Sequence, residues 1–188
     1  MVCPLPSKVL LHICCGICAG GVVQRLREEG YEVVGYFYNP NIYPLSEYKK
    51  RLTVAEGVAK ILKFTLITEA DDAKKWEKLT NGLGGLAEGG ERCSRCYRFR
   101  LQKALAKANE LGIELFTTTL TVSPHKNATV IGQIGQEIGG ARFLVEDFKK
   151  HDGYKHSLEL AKKHYLYRQH YCGCRYSLVE AERDHRSL

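Results

Sequence analysis

The chain has no apolar run approaching the roughly 20 residues needed to cross a bilayer. Its opening stretch, Met1-Val2-Cys3-Pro4-Leu5-Pro6-Ser7-Lys8, lacks the long apolar core of a signal peptide. A cytoplasmic location with no membrane partner is therefore expected. No internal repeat, low-complexity tract or linker interrupts the 188 residues. A single α/β domain over 1–188 is expected, with a core sheet over 8–150 and a C-terminal helical segment over 151–188 that packs on the site. A chain of this length buries about 70% of its extended surface and does not need disulfides to fold. A nicotinamide or flavin fingerprint is also missing. Gly82 to Gly90 holds five glycines, but it follows a polar helix and its spacing misses G-x-G-x-x-G. It reads as a mobile loop leading into Cys93, placed to act as a lid.

Cysteine, by contrast, is abundant, with eight in the chain. A cytosolic pool keeps thiols reduced, so clustered cysteines there point to metal binding or catalysis rather than a disulfide framework. Apart from Cys3 they fall into three groups: Cys14-Cys15-x-x-Cys18, Cys93-x-x-Cys96 and Cys172-x-Cys174. The net charge of +7 has its basic residues in local groups, among them Lys49-Lys50-Arg51 and Arg92 to Lys103. Such an excess fits a polyanion such as RNA, and equally a solvated basic surface.

Hydrophobic periodicity sets the order of elements. Val9 to Ile13, rich in Val, Leu and Ile, reads as a buried strand that stops at adjacent cysteines and small residues, followed by the helical pattern Val22, Val23, Leu26. Tyr31–Tyr38 reads as a second strand, ending in the proline-containing loop Asn39–Pro44. Ser46 is the expected N-cap of a helix with the stripe Tyr48, Leu52, Ala55, Ala59 and Leu62. Phe64–Ile67 is a third strand, Asp71–Leu79 a short charged helix, and Cys93–Leu111 a helix with both thiols on one face. Glu114–Thr119 is a fourth strand, Val130–Ile138 a helix, Arg142–Val145 a fifth strand, and Gly153–Arg168 helical. Five strands alternating with helices imply a parallel sheet with right-handed crossovers. In such a sheet ligands bind beyond the carboxyl ends of the strands, which is where Cys14 and Cys15 fall.

Paired Cys-x-x-Cys spacing is a common zinc signature, but a closed zinc site takes four ligands and this chain offers seven thiols in three groups. An iron–sulfur cluster takes about four and leaves others for a second role. Zinc, iron–sulfur and thiol redox chemistry all remain open on spacing alone. In Cys172-Gly173-Cys174, one glycine lets two sulfurs form a strained, easily reduced pair or chelate one metal edge. Asp147, closing the fifth strand, offers a hard oxygen ligand or merely a helix cap.

Six ordered blocks together carry a specific resemblance: Leu11-His-Ile-Cys14-Cys15-Gly-Ile-Cys18, Tyr38-Asn-Pro-Asn-Ile42, Glu91-Arg-Cys93-Ser-Arg-Cys96-Tyr-Arg98, Thr119-Leu-Thr-Val-Ser-Pro-His-Lys126, Asp147-Phe-Lys-Lys150 and Tyr167-Arg-Gln-His-Tyr-Cys172-Gly-Cys174. Over about residues 8 to 177 the chain resembles the QueH family, the cobalamin-independent epoxyqueuosine reductases of tRNA modification. Ile17 departs from the proline expected there. The resemblance implies a fold similar to the adenine-nucleotide α-hydrolase (HUP/PP-loop-like) sheets. It also implies a [4Fe–4S] cluster at Cys14, Cys15, Cys93 and Cys96, with Cys18 a further ligand or buried. Cys172 and Cys174 match the remaining pair, redox-active or binding one additional iron ion with Asp147; these three are the catalytic candidates.

Reducing an epoxide to an alkene takes two electrons and two protons, and a Lewis acid on the oxygen eases C–O cleavage. The electrons are expected from an external carrier such as ferredoxin or flavodoxin, and the protons from His12, His125, Lys126 or Tyr97. Loop bases of tRNA stack on aromatic side chains beside basic groups. Tyr38, Tyr97, Arg98, Lys126 and Arg168 are the expected tRNA contacts, with Tyr43, Tyr165 and Tyr167 as further stacking candidates. The rival readings are a zinc-stabilised RNA-binding module and a thiol-redox or sulfur-transfer enzyme acting on tRNA.

Overall fold

The structure, a computed structural model, describes residues 7–70, 72–150 and 152–186. Cys3 and Asp71 therefore lie outside the described residues. Strand β1 (Lys8–His12) lies inside the sheet, paired in parallel with β2 (Glu32–Tyr38) on one side and β4 (Leu115–Thr118) on the other. Strand β3 (Thr65–Glu69) pairs with β2, giving the order β3-β2-β1-β4. Val9, Leu10 and Leu11 are fully buried because both faces of β1 are covered, so a strand in this position reads as a continuous apolar run. Val9, Leu11 and Ile13 pack against α1 (Gly16–Glu28) and α2 (Leu45–Leu62), whereas Leu10 packs against α4 (Glu91–Glu110) and α5 (Ala128–Gly139). Helix α3 (Ala73–Thr80) lies on α4, and α6 (Gly153–Lys163) on α1. Helix α7 (Arg175–Arg186) follows the last cysteine pair.

From β1 the chain runs outward to β2 and β3, then returns to the opposite side of β1 as β4. The direction reverses between β1 and β4, which opens a crevice beyond their carboxyl ends. Residues 13–18 and 119–126 both leave the sheet at that point.

Four parallel strands form where five are expected. Gly140–Arg142 is a 3-10 turn, and Phe143 makes one isolated bridge to Phe116. The Arg142 guanidinium binds the carbonyls of Glu114 (2.8 Å) and Ile113 (3.1 Å), tying the segment to the turn before β4. Phe143 then buries edge-on against Phe116, with ring centroids 5.1 Å apart. Helix α2 starts at Leu45 behind Pro44, whose φ of −73° already suits the entry, so Ser46 is not its cap. The helix read through Arg168 stops at Lys163, and Tyr165 takes a left-handed φ of 52°. Among the described residues no helix is long and apolar enough to cross a membrane.

Candidate active site

Past the end of β1, the amide of Cys14 donates to Thr119 Oγ1 (2.9 Å), and the Thr119 hydroxyl donates back to Cys14 Sγ (3.2 Å). The first thiol therefore bridges the outlets of β1 and β4. Cys15 occupies the N-cap of α1 in an extended conformation (φ −154°, ψ 149°), and Cys18 lies one turn along. The sulfurs of Cys14, Cys15 and Cys18 all fall within 4.8 Å of one another. The sulfurs of Cys15 and Cys18 lie 2.7 Å apart. Gly16 is what lets α1 lie so close to α2. A Cβ there would come within 2.6 Å of the Ala55 amide nitrogen, a contact with backbone that cannot swing away.

The second sulfur group is brought in by a turn whose three successive carbonyls are all held. Arg51 Nη2 binds the Tyr171 carbonyl (3.0 Å) and Nη1 that of Cys172 (2.9 Å), while the Tyr43 amide binds that of Gly173 (2.8 Å). Arg51 is 2% exposed and paired with Glu47 at 2.7 Å, and Tyr167 donates to the same carboxylate at 2.7 Å. Gly173 adopts φ +129°, and a Cβ there would meet Arg51 Nη1 at 2.9 Å, so only glycine closes this turn. Cys174 directly precedes α7, and its sulfur accepts the Ser177 amide (3.4 Å).

Cys14, Cys15, Cys18 and Cys172 line one cavity of about 380 Å³, together with Arg51, Glu88, Arg100, His125, Lys126 and His170. Cys93 and Cys96 are buried one turn apart on α4; Cys14 packs against the group containing Cys93 and Tyr97, and Cys96 and Cys174 meet around Trp76. Hydrogen bonds from Cys15 and Cys18, helped by Lys126 and Arg100, hold the Cys14 thiol well below its ordinary range. Cys15 is pushed up to about 11, first by its bond to Cys14, and Cys18 is raised by the same neighbours. Burial pushes the Cys172 thiol up to about 12. Burial works against the Lys126 ammonium, but its sulfur and phenol neighbours raise it overall, and the lowered Cys14 thiol is the one of them that is charged at neutral pH.

Several expected residues stand elsewhere. Asp147 does not line the cavity: its Oδ1 accepts the Lys149 amide (3.2 Å) and faces the Lys149 ammonium (3.4 Å). Tyr38 is fully buried, stacked on Tyr36 with its hydroxyl on Asp72 (2.7 Å), which makes it a core residue rather than a base platform. Tyr97 is 3% exposed, and burial keeps its hydroxyl protonated. Arg98 is exposed and paired with Glu137, while Arg168 lies on the surface. His12 is fully buried. Its Nε2 donates to the Tyr38 carbonyl (3.1 Å), and burial followed by Arg100 lowers its pKa to about 3, so it is a neutral structural ring. The Gly82–Gly90 segment is tied down by Arg92, which binds the carbonyls of Gly84 (3.1 Å) and Leu86 (2.8 Å). It contributes Glu88 to the cavity wall. Arg51 and Arg100 were missed as site residues. The usable signals were the Glu47–Arg51 spacing of four and the position of Arg100 seven after Cys93, both of which share a helix face.

Arg100 is 2% exposed, donates to Asn39, and its Nε has no partner. Among the described residues no carboxylate pairs with Arg100 or Lys126. Two cations that no carboxylate pairs with, beside a lowered thiol, suit a net-negative, thiolate-bound metal centre, so the residues present fit an iron–sulfur cluster.

Fold and site together define an α/β protein whose switch-point crevice is lined with thiols. Solved structures sharing the fold include a predicted tRNA methyltransferase subunit from Methanocaldococcus jannaschii, with a TM-score of 0.57 and 20% identity over 83% of this chain and 74% of that one. Another is the U34-tRNA thiolase NcsA from Methanococcus maripaludis with its [4Fe–4S] cluster, with a TM-score of 0.53 and 15% identity over 97% of this chain and 66% of that one. Residues 9–180 match the family described as epoxyqueuosine reductase QueH, and the chain belongs to that family. Its relatives of that name include proteins of Streptococcus pyogenes serotype M1, 36% identical over 94% of this chain and 75% of the relative, and Thermotoga maritima, 35% identical over 97% and 96%.

Proposed function

We propose that the protein reduces epoxyqueuosine in the anticodon loop of tRNA to queuosine, the activity for which its family is named. The gathering of Cys14, Cys15, Cys18 and Cys172 around one cavity, in a chain that matches this family over residues 9–180, carries the reading. The reaction breaks both C–O bonds of the epoxide, forms the alkene, and releases the oxygen as water on uptake of two electrons and two protons. A [4Fe–4S] cluster would take Cys14, Cys15, Cys93 and Cys96 as its four ligands, with Cys18 buried beside them, and would supply the electrons. Cys172 and Cys174 form the redox-active or iron-binding pair; Asp147 is left out because Lys149 occupies its carboxylate.

The chain's own groups prepare the cavity. Lys126, on the same cavity wall as Cys14 and Cys172, serves as the proton donor to the leaving oxygen, and His125 stands at the same wall. Arg51 fixes the turn that presents the Cys172 thiol. An external carrier such as ferredoxin or flavodoxin delivers the electrons, and the protein works in the cytoplasm. Anaerobic purification with metal analysis and assay on epoxyqueuosine-containing tRNA tests this. About four irons per chain, with visible iron–sulfur absorbance and queuosine as product, are expected. Colourless protein carrying one zinc and no turnover would overturn the reading in favour of an RNA-binding module.

A further inference from the structure

Tyr165 is 95% exposed, the most open of the exposed large apolar side chains. It also stands where the backbone favours glycine. Helix α6 ends in a Schellman turn: Leu166 donates to the Ala161 carbonyl (2.9 Å) and Tyr165 to that of Lys162 (3.4 Å), with Tyr165 at φ +52°. An L side chain in that conformation is strained, and at this exposure packing returns almost nothing. The fold alone therefore gives no reason for a tyrosine at this position.

Its surroundings supply one. On either side the chain is anchored, Leu166 on the core and Tyr167 through its hydroxyl on Glu47, so the ring stands on a fixed base. Lys162, Lys163 and Arg168 are exposed, and none forms an ion pair among the described residues. Most cations of the other basic groups are already engaged. Arg51, Arg92 and Arg100 are buried, Arg95 and Arg98 are paired with Glu91 and Glu137, and Lys103 with Asp72. Four residues beyond Tyr165 the same segment enters the cavity wall at Gln169, so the two Cα atoms lie within about 14 Å.

We propose that Tyr165 is the stacking platform for an unpaired base flanking the modified nucleotide, with Lys162, Lys163 and Arg168 on the adjoining phosphates. The ligand class is single-stranded RNA in a loop, which is recognised by aromatic stacking beside basic side chains. The inference rests on the tRNA reading above and names the surface that reading requires.

The test titrates the metal-loaded protein against an end-labelled RNA stem–loop of anticodon-arm sequence, with an RNA duplex lacking the loop as control. Tyr165→Gly is expected to weaken stem–loop binding by about 5- to 100-fold, the range of a lost stacked base. Duplex binding and Tyr165→Trp stem–loop binding stay near wild type. Because glycine suits this φ, the melting temperature of Tyr165→Gly should equal or exceed wild type, so a folding defect cannot mimic the result. Lys162→Gln/Lys163→Gln should flatten the salt dependence by roughly 0.7 per cation removed. Equal stem–loop binding by wild type and Tyr165→Gly, or an equal loss on the duplex, overturns the platform and leaves the tRNA reading standing. Wild-type protein that binds neither RNA overturns both.

Discussion

At the scale of single residues, Arg100 is the most telling side chain after the cysteines. A buried cation that no carboxylate pairs with carries a desolvation cost of several kcal/mol, and its Nε is without a partner. A thiolate-bound iron–sulfur centre beside Cys14 would offset that cost. Arg100→Met should therefore raise the melting temperature of the metal-free protein, by about 2–4 °C per kcal/mol recovered, while lowering its iron content after reconstitution. Thermal melts of both forms, with iron analysis, check the reversal of sign. Cys172→Ala is expected to abolish epoxide reduction while leaving tRNA affinity within about twofold, as measured by single-turnover assay and binding titration; undiminished turnover removes that thiol from the chemistry. Asp72 reports on folding rather than function. Lys103, Lys75 and the Tyr38 hydroxyl hold its carboxyl well below the usual carboxylate range. The unfolded chain then binds the extra proton first, so this stabilisation is complete above about pH 5 and fades as the pH falls toward the folded value. Asp72→Asn should lower the urea midpoint at about pH 7, and the deficit should be smaller at about pH 3.

Among the elements, α1 and the 171–174 turn do the positioning. Gly16→Ala drives a Cβ into the Ala55 backbone. It should push α1 off α2, lowering both the melting temperature and the iron content, since Cys15 and Cys18 move with the helix. Arg51→Met leaves Glu47 buried with only Tyr167 for a partner and frees the carbonyls of 171 and 172. A loss of about 3–5 kcal/mol in urea unfolding is expected. The core elements were legible because their signals are local. Val9–Leu11 is apolar throughout as a doubly covered strand must be, and Cys93, Cys96 and Ala104 keep helical spacing. The missed features depend on distant partners. Phe143-Leu144-Val145 looks like a strand, but Arg142 binds the turn before β4 and one bridge is all that forms. Helix α6 runs on past Lys163 by pattern, because a tyrosine gives no hint that it will take the place of glycine.

Viewed whole, the chain folds its basic surplus inward to a degree that charge counting cannot show. Arg51, Arg92 and Arg100 read as a solvated basic face, yet they brace the turn, the glycine-rich segment and the sulfur site. Part of the apparent RNA-binding charge thus serves the cavity, while Lys162, Lys163 and Arg168 stay exposed in the segment that leads to the cavity wall at Gln169. The three cysteine groups were legible as a set from spacing and family resemblance. Their division was not, because Cys18 joins Cys14 and Cys15 only through the turn of α1, and Cys174 meets Cys96 only through the packing of α7. The gathering of these thiols to hold iron is tested most directly by iron and sulfide analysis after anaerobic reconstitution, in wild type and in Cys14→Ala. About four irons with matching sulfide in wild type, and a large loss in Cys14→Ala, are expected. A wild type that takes up only zinc, or a variant that keeps its full iron content, would contradict a cluster built on the end of β1.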